Sequence, residues 1–146
     1  MKRIGEVLAV MIAVGGCGAV RGPGMPVPTP AMTVHASFSK TWDAVIDEFS
    51  TLNIPIRTVD RSSGLIATEQ LSVSPDVGDV ADCGSDWVGP ALVPTNAIYN
   101  VVVRGDSISS TVRVNVRWIR VGMARGMSTN PVTEDCATKG NWETGF

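Results

Sequence analysis

Residues 96–121 read NAIYNVVVRGDSISSTVRVNVRWIRV, and their alternation decides the fold. Two alternating arms, 96–104 and 107–121, flank Gly105-Asp106, a pair suited to a two-residue type II′ hairpin turn. That turn pairs 103 with 108, 101 with 110, 99 with 112 and 97 with 114. One face then carries Ala97, Tyr99, Val101 and Val103 with Ile108, Ser110, Val112 and Val114, continuing to Val116 and Trp118. The other carries Ile98, Asn100, Val102 and Arg104 with Ser107, Ser109, Thr111 and Arg113, continuing to Asn115 and Arg117. A period of two on both arms predicts an antiparallel sheet with one dry and one wet face. A one-residue slip would exchange the faces.

Upstream, the period changes. Phe38, Trp42, Val45, Phe49 and Leu52 recur at spacings of 4, 3, 4 and 3, and Ile46 joins the stripe. Lys40, Asp43, Asp47 and Glu48 fall on the other side. Ser39 is the expected N-cap, and Asn53 followed by Pro55 the stop. An amphipathic helix of this kind lies on an apolar surface; the dry face of the sheet is available, and a partner surface is the alternative. Residues 56–60 (IRTVD) and 65–71 (LIATEQL), around Arg61-Ser62-Ser63-Gly64, read as a second hairpin. The expected fold is therefore α+β: an antiparallel β-sheet of about four strands, covered on one face by an amphipathic helix. Residues 72–95, with Pro75, Gly78, Gly84, Gly89, Pro90 and Pro94, break every period. A loop that long is either functional or pinned.

Composition excludes more than it proposes. The 146 residues, 44% hydrophobic and 18% charged, build one ordinary domain. A net charge of −2, without a basic cluster, argues against nucleic acid as partner. His35 is the sole histidine, so any zinc site or catalytic dyad needing two histidines is excluded within one chain. No nucleophile–base pair, phosphate loop or carboxylate dyad stands out, and the expectation is a non-enzyme without metal or cofactor. Asp76, Asp79, Asp82 and Asp86 are spaced by 3, 3 and 4, unlike the alternating oxygens of a calcium loop, and read as solvated acids. Arg113 and Arg117 share the wet face; the choice there is between a site for an anionic group and an ordinary solvated strand.

The N-terminus carries an address. Lys2 and Arg3 precede eight apolar residues, VLAVMIAV at 7–14, and then Gly15, Gly16 and Cys17. Eight to ten helical residues span only about 12–15 Å, too short for a membrane-spanning helix, and the layout is that of a cleaved export signal. Val14, Gly15, Gly16 and Cys17 resemble the lipobox of bacterial lipoproteins. The resemblance implies that Cys17 takes a diacylglycerol thioether and, after cleavage, becomes the first residue. Several acyl chains, at about 0.8 kcal/mol per buried CH₂, make such an anchor stable. An ordinary signal cut near Gly18 is the alternative. Gly18, rather than Asp, fits outer-membrane sorting by the enterobacterial pattern. The domain plan is a signal peptide at 1–16, the lipidated cysteine and a Gly/Pro-rich tether at 17–32, and the α+β domain at 33–146. As a free polyproline-like spacer, residues 18–32 would hold the domain roughly 40 Å from a membrane. Removal of residues 1–16 leaves ten cations and thirteen acids, a charge of −3.

With Cys17 assigned to lipid, Cys83 and Cys136 remain as an even pair, which in an oxidising compartment reads as a disulfide. It would staple the 72–95 excursion to the C-terminal segment. Trp87 and Trp142 follow the two cysteines closely and either pack around the bridge or form an interaction patch.

The order Phe38, helix with Trp42, Val45, Ile46 and Leu52, strand, then Asp60 and Gly64-Leu65-Ile66 resembles the helix-grip domains of small Gram-negative envelope lipoproteins, including BamC-type accessory subunits of the β-barrel assembly machinery. CATKGNWE at 136–143 is similar to a C-S-x-G-x-x-E-like ending of such lipoproteins, where a helix usually follows; here the sequence stops at Phe146. The resemblance implies a helix on an antiparallel sheet and carries over no functional residue. The functional expectation is a lipid-anchored, periplasm-facing module of the outer membrane that acts on an envelope protein partner without catalysis. The alternative is a binder of a lipid or small amphiphile between helix and sheet, which predicts a cavity among Trp42, Tyr99 and Trp118.

Overall fold

A computed structural model describes residues 21–74, 79–85, 93–123, 131–141 and 143. In chain order the elements are β1 (Met32–Val34), α1 (Phe38–Thr51), β2 (Ile56–Asp60), β3 (Leu65–Thr68), β4 (Leu71–Ser72), β5 (Ala81–Asp82), β6 (Asn96–Gly105), β7 (Ser110–Met123) and β8 (Pro131–Thr138). Neighbouring strands run β2-β3-β6-β7-β8-β5, all antiparallel, with β1 on β7 and β4 on β6. Among the described residues the sheet thus has eight strands, not about four. Three of the additions, β1, β4 and β5, are two or three residues long, too short to show a period. The fourth, β8, hides its alternation. It pairs Trp118 with Cys136 and Arg120 with Glu134, so a charged pair at 3.0 Å stands on the same side as the buried tryptophan.

The long hairpin is the frame, but its turn differs from the expected one. Val103 pairs with Val112, Val101 with Val114, Tyr99 with Val116 and Ala97 with Trp118. The loop is residues 106–109, and the register moves by four. An even shift keeps every side chain on its expected face, except that Ile108 moves from the dry face into the loop, where it is exposed. Asp106 is the cause. Its carboxylate accepts the backbone N–H groups of Ile108 (2.7 Å) and Ser109 (2.9 Å), and its own N–H donates to the Ser109 carbonyl. These bonds draw the chain into a four-residue loop. They also hold the Asp106 carboxyl below its ordinary pKa, the Ser109 N–H contributing most.

Helix α1 lies on the dry face. Trp42 and Phe49 are buried in one cluster with Ile66, Ala97, Tyr99, Val101, Val103, Val112, Val114, Val116 and Trp118, and Phe38, Val45 and Ile46 pack against its edge. Ser37, not Ser39, is the N-cap: its hydroxyl accepts from the Lys40 N–H. Ser39 instead accepts from Arg61 at 2.8 Å. At the other end Asn53 takes φ 53°, its N–H donates to Ser50 and that of Ile54 to Phe49, a Schellman closure. Leu52 falls outside the apolar stripe as the exposed C-cap.

The β2–β3 hairpin joins where expected, with Asp60 opposite Leu65. The Asp60 carboxylate accepts from the Ser62 hydroxyl and from the Ser62 and Ser63 N–H groups. Chiefly through the Ser62 hydroxyl, these bonds pull its pKa to about 2. Gly64, at φ +63°, closes the turn against the Val103 carbonyl, where any Cβ would collide. Arg61 ties this loop to α1. It pairs with Asp43 at 3.1 Å and lies 5.6 Å from the Phe38 ring centre and 5.8 Å from that of Trp42.

Residues 21–30, placed in the tether by the sequence, lie against the domain at several points. Arg21 forms an antiparallel bridge with Ser85. The Gly24 N–H donates to Asp82, and the Val27 N–H to the Thr138 carbonyl. Thr29 is buried, and the segment runs directly into β1.

Candidate functional site

An apolar cleft of about 340 Å³ lies between α1 and the sheet. Its volume falls at the lower end of small-ligand sites, roughly 300–1,000 Å³. The helix supplies Thr41, Ala44 and Val45; the sheet supplies Val101, Val112 and Val114; β1 and the link after it supply Met32, Val34 and Ala36. Lys40 and Glu48 stand exposed at the mouth. Ala44, a small residue on an exposed position of α1, forms part of the cleft wall. Beside it the hydroxyls of Thr41 and Ser110 hydrogen-bond to one another at 2.6 Å, buried, and so satisfy each other.

The expected cavity among Trp42, Tyr99 and Trp118 is filled: all three are buried members of the core. The opening lies instead at the edge where β1 joins β7; β1 straddles the expected end of the tether at residue 32 and is too short to show a period. Sequence periodicity carries no signal for a cleft assembled from three separated segments.

Cys83 and Cys136 form a disulfide across 53 positions, with both residues buried. The bridge joins β8 to the chain just after β5. Asp82, the residue before Cys83, gathers the Gly84 N–H at 2.8 Å, the Gly24 N–H at 3.1 Å and Arg21 at 3.5 Å. These hold its carboxyl below the usual range, the Gly84 N–H contributing most. So this aspartate is a structural tie rather than a merely solvated acid. Asp79 is exposed, and Asp76 and Asp86 lie outside the described residues, as do Cys17, Trp87 and Trp142.

Arg113 and Arg117 are both exposed on the wet face. Arg117 is engaged bidentately by Asp135 at 2.8 and 3.1 Å, which raises its pKa. Arg113 has no ion pair among the described residues. The two arginines therefore do not converge on one anion position, and Arg104 is turned to other work, donating to the Ser63 carbonyl.

One buried group was not singled out from the sequence. Glu143 is almost wholly enclosed and accepts from the Thr138 hydroxyl at 2.6 Å. The same hydroxyl accepts the Gly140 N–H. The CATKGNWE segment contains this residue, but nothing in its spacing marks a glutamate as interior. No cluster of three or more His, Cys, Asp or Glu side chains placed to hold a metal occurs among the described residues. No helix among them is long and apolar enough to cross a membrane. The chain matches no protein-family model, and neither curated proteins nor solved structures yield a significant match.

Proposed function

We propose that this chain is a bacterial envelope lipoprotein, anchored through acylated Cys17, whose domain binds another envelope protein without catalysis. The apolar cleft beside α1 carries this reading. It is open, lined almost entirely by aliphatic side chains, and rimmed by one cation and one acid, Lys40 and Glu48. Such a surface takes an apolar side chain of a partner and offers no reacting group. The export signal, the disulfide and the helix-on-sheet resemblance to envelope lipoproteins support the same compartment. A second reading, favoured by the mostly aliphatic lining, fills the cleft with the chain of a lipid or small amphiphile.

The test is affinity purification of the full-length lipidated protein from its native membranes, beside Ala44→Trp, which fills the cleft from an exposed helix position. A stoichiometric envelope protein recovered with the wild type and lost with Ala44→Trp supports the first reading. Recovery alone even after crosslinking, with a lipid released on extraction, overturns it in favour of the second.

A further inference from the structure

The stretch between anchor and domain is not free along most of its length. Of residues 18–32, those from Arg21 onward are docked at successive points. Pro26, Pro28 and Pro30 lack N–H groups and cannot extend a strand ladder. The interleaved residues make the attachments instead: the Val27 N–H bonds the Thr138 carbonyl at 3.0 Å, and Thr29 is buried. Pro26 to Thr29 face Asn115, Val116 and Thr138 across a gap of about 250 Å³, alongside the part of β7 between its pairings with β8 and β1. Gly24 lets the strap pass close to Asp82, and Gly140 does the same beneath Val27; a Cβ at either would meet its neighbour at 3.2 Å. Arg21, the first described residue of the strap, lies against Ser85 and Asp82, close to the Cys83–Cys136 bridge.

Reach then decides orientation. From Cys17 to Arg21 is four peptide steps, which span at most about 14 Å even when fully extended. A free 18–32 spacer would allow roughly 40 Å. We infer that the docked strap holds the corner formed by Arg21, Asp82 and Ser85 against phospholipid headgroups, within about 14 Å of the lipidated cysteine. The inference rests on the acylation of Cys17 proposed above. Charge does not set this orientation, since Arg21 and Lys139 at the corner are offset by Asp79 and Asp82. Tether length does. The hairpin loop at 106–109 and the cleft lie toward the other end of the strap, where β1 pairs with the start of β7, so this orientation sets the cleft at the end of the strap remote from the anchored corner.

The test uses the full-length acylated protein on a supported bilayer of phosphatidylethanolamine and phosphatidylglycerol, measured by neutron reflectometry. Protein density beginning within about 15 Å of the headgroups is the expected result. A water-filled gap near the roughly 40 Å of a free spacer overturns the inference. Gly24→Pro with Val27→Pro removes two strap N–H groups while leaving the sheet pairs untouched, and is expected to widen the gap. Hydrogen exchange at the Val27 amide of the wild type gives an independent reading: slow exchange supports the strap, and exchange at the rate of an unstructured peptide overturns it. Mass spectrometry of the N-terminal peptide from the same preparation separates the two ideas. Acylated Cys17 with a wide gap overturns the strap alone, whereas unmodified Cys17 overturns the anchor and the orientation together.

Discussion

The two ends of β7 are held by different physics. At its start, α1 buries Trp42 and Phe49 against Val101, Val103, Val112 and Val114, and regular elements with long apolar stripes do the work. Toward its end, β7 lies between β6 and β8, and β8 in turn carries the two-residue β5 and a strap contact at Thr138. There a disulfide, a carboxylate gathering backbone N–H groups and single hydrogen bonds hold the chain. Where apolar residues fall on a period, burial suffices. Where proline and glycine interrupt the period, the chain is tied at points, and apart from the local Gly84 bond to Asp82 these ties act over long sequence separations.

The comparison breaks most visibly if either half is unpicked. Phe49→Ala, at a site 1% exposed, is expected to cost about 3–5 kcal/mol in urea unfolding, through lost transfer energy and the cavity left behind. A loss below about 1 kcal/mol would mean that the helix contributes little to holding the sheet. Replacing both Cys83 and Cys136 by Ser is expected to cost about 4 kcal/mol, from loop entropy over 53 positions. Limited proteolysis should then cut first within 72–95 while the α1 half still resists. Simultaneous loss of both halves would show that they are one cooperative unit.

Smaller effects sharpen the contrast. Gly64→Ala forces a side chain into a left-handed backbone and against the Val103 carbonyl, and should cost more than about 1 kcal/mol, measured by the thermal midpoint. Asp60 tests the same turn by pH. Its folded pKa, about 2, lies below its unfolded value, so its stabilisation is complete above about pH 4 and is lost as pH falls toward 2. Asp60→Asn should flatten that part of the acid-unfolding curve, and an unchanged slope would remove Asp60 from the account. The least effect belongs to Arg117→Ala. Its partner Asp135 is largely exposed, so the loss should be at most about 1 kcal/mol and should shrink in high salt.

What was legible follows the range of each signal. The faces of the long hairpin were readable even though its turn was not, because a shift of four residues preserves a period of two. The loop length escaped because Asp106 was read as a turn residue, while its carboxylate recruits two further N–H groups. Helix α1 was readable from its stripe, yet its cap moved from Ser39 to Ser37, since Ser39 is engaged by Arg61 from a distant loop. Strand β8 was missed because Glu134, two residues before Cys136 on the same face, occupies a position that an apolar pattern would need. The cleft was expected between helix and sheet but placed among core aromatics; its actual walls include β1, a three-residue strand that begins at the last residue assigned to the spacer.

By itself the sequence determined the amphipathic helix, the two faces of the hairpin and the pairing of Cys83 with Cys136. Those follow from local periods and from counting thiols. Tertiary structure decided the register, the eight-strand sheet, the cleft and the docking of the proline-rich strap. Such features depend on which distant carbonyl or carboxylate an isolated N–H meets, and a proline-rich segment looks the same in sequence whether or not that acceptor is there.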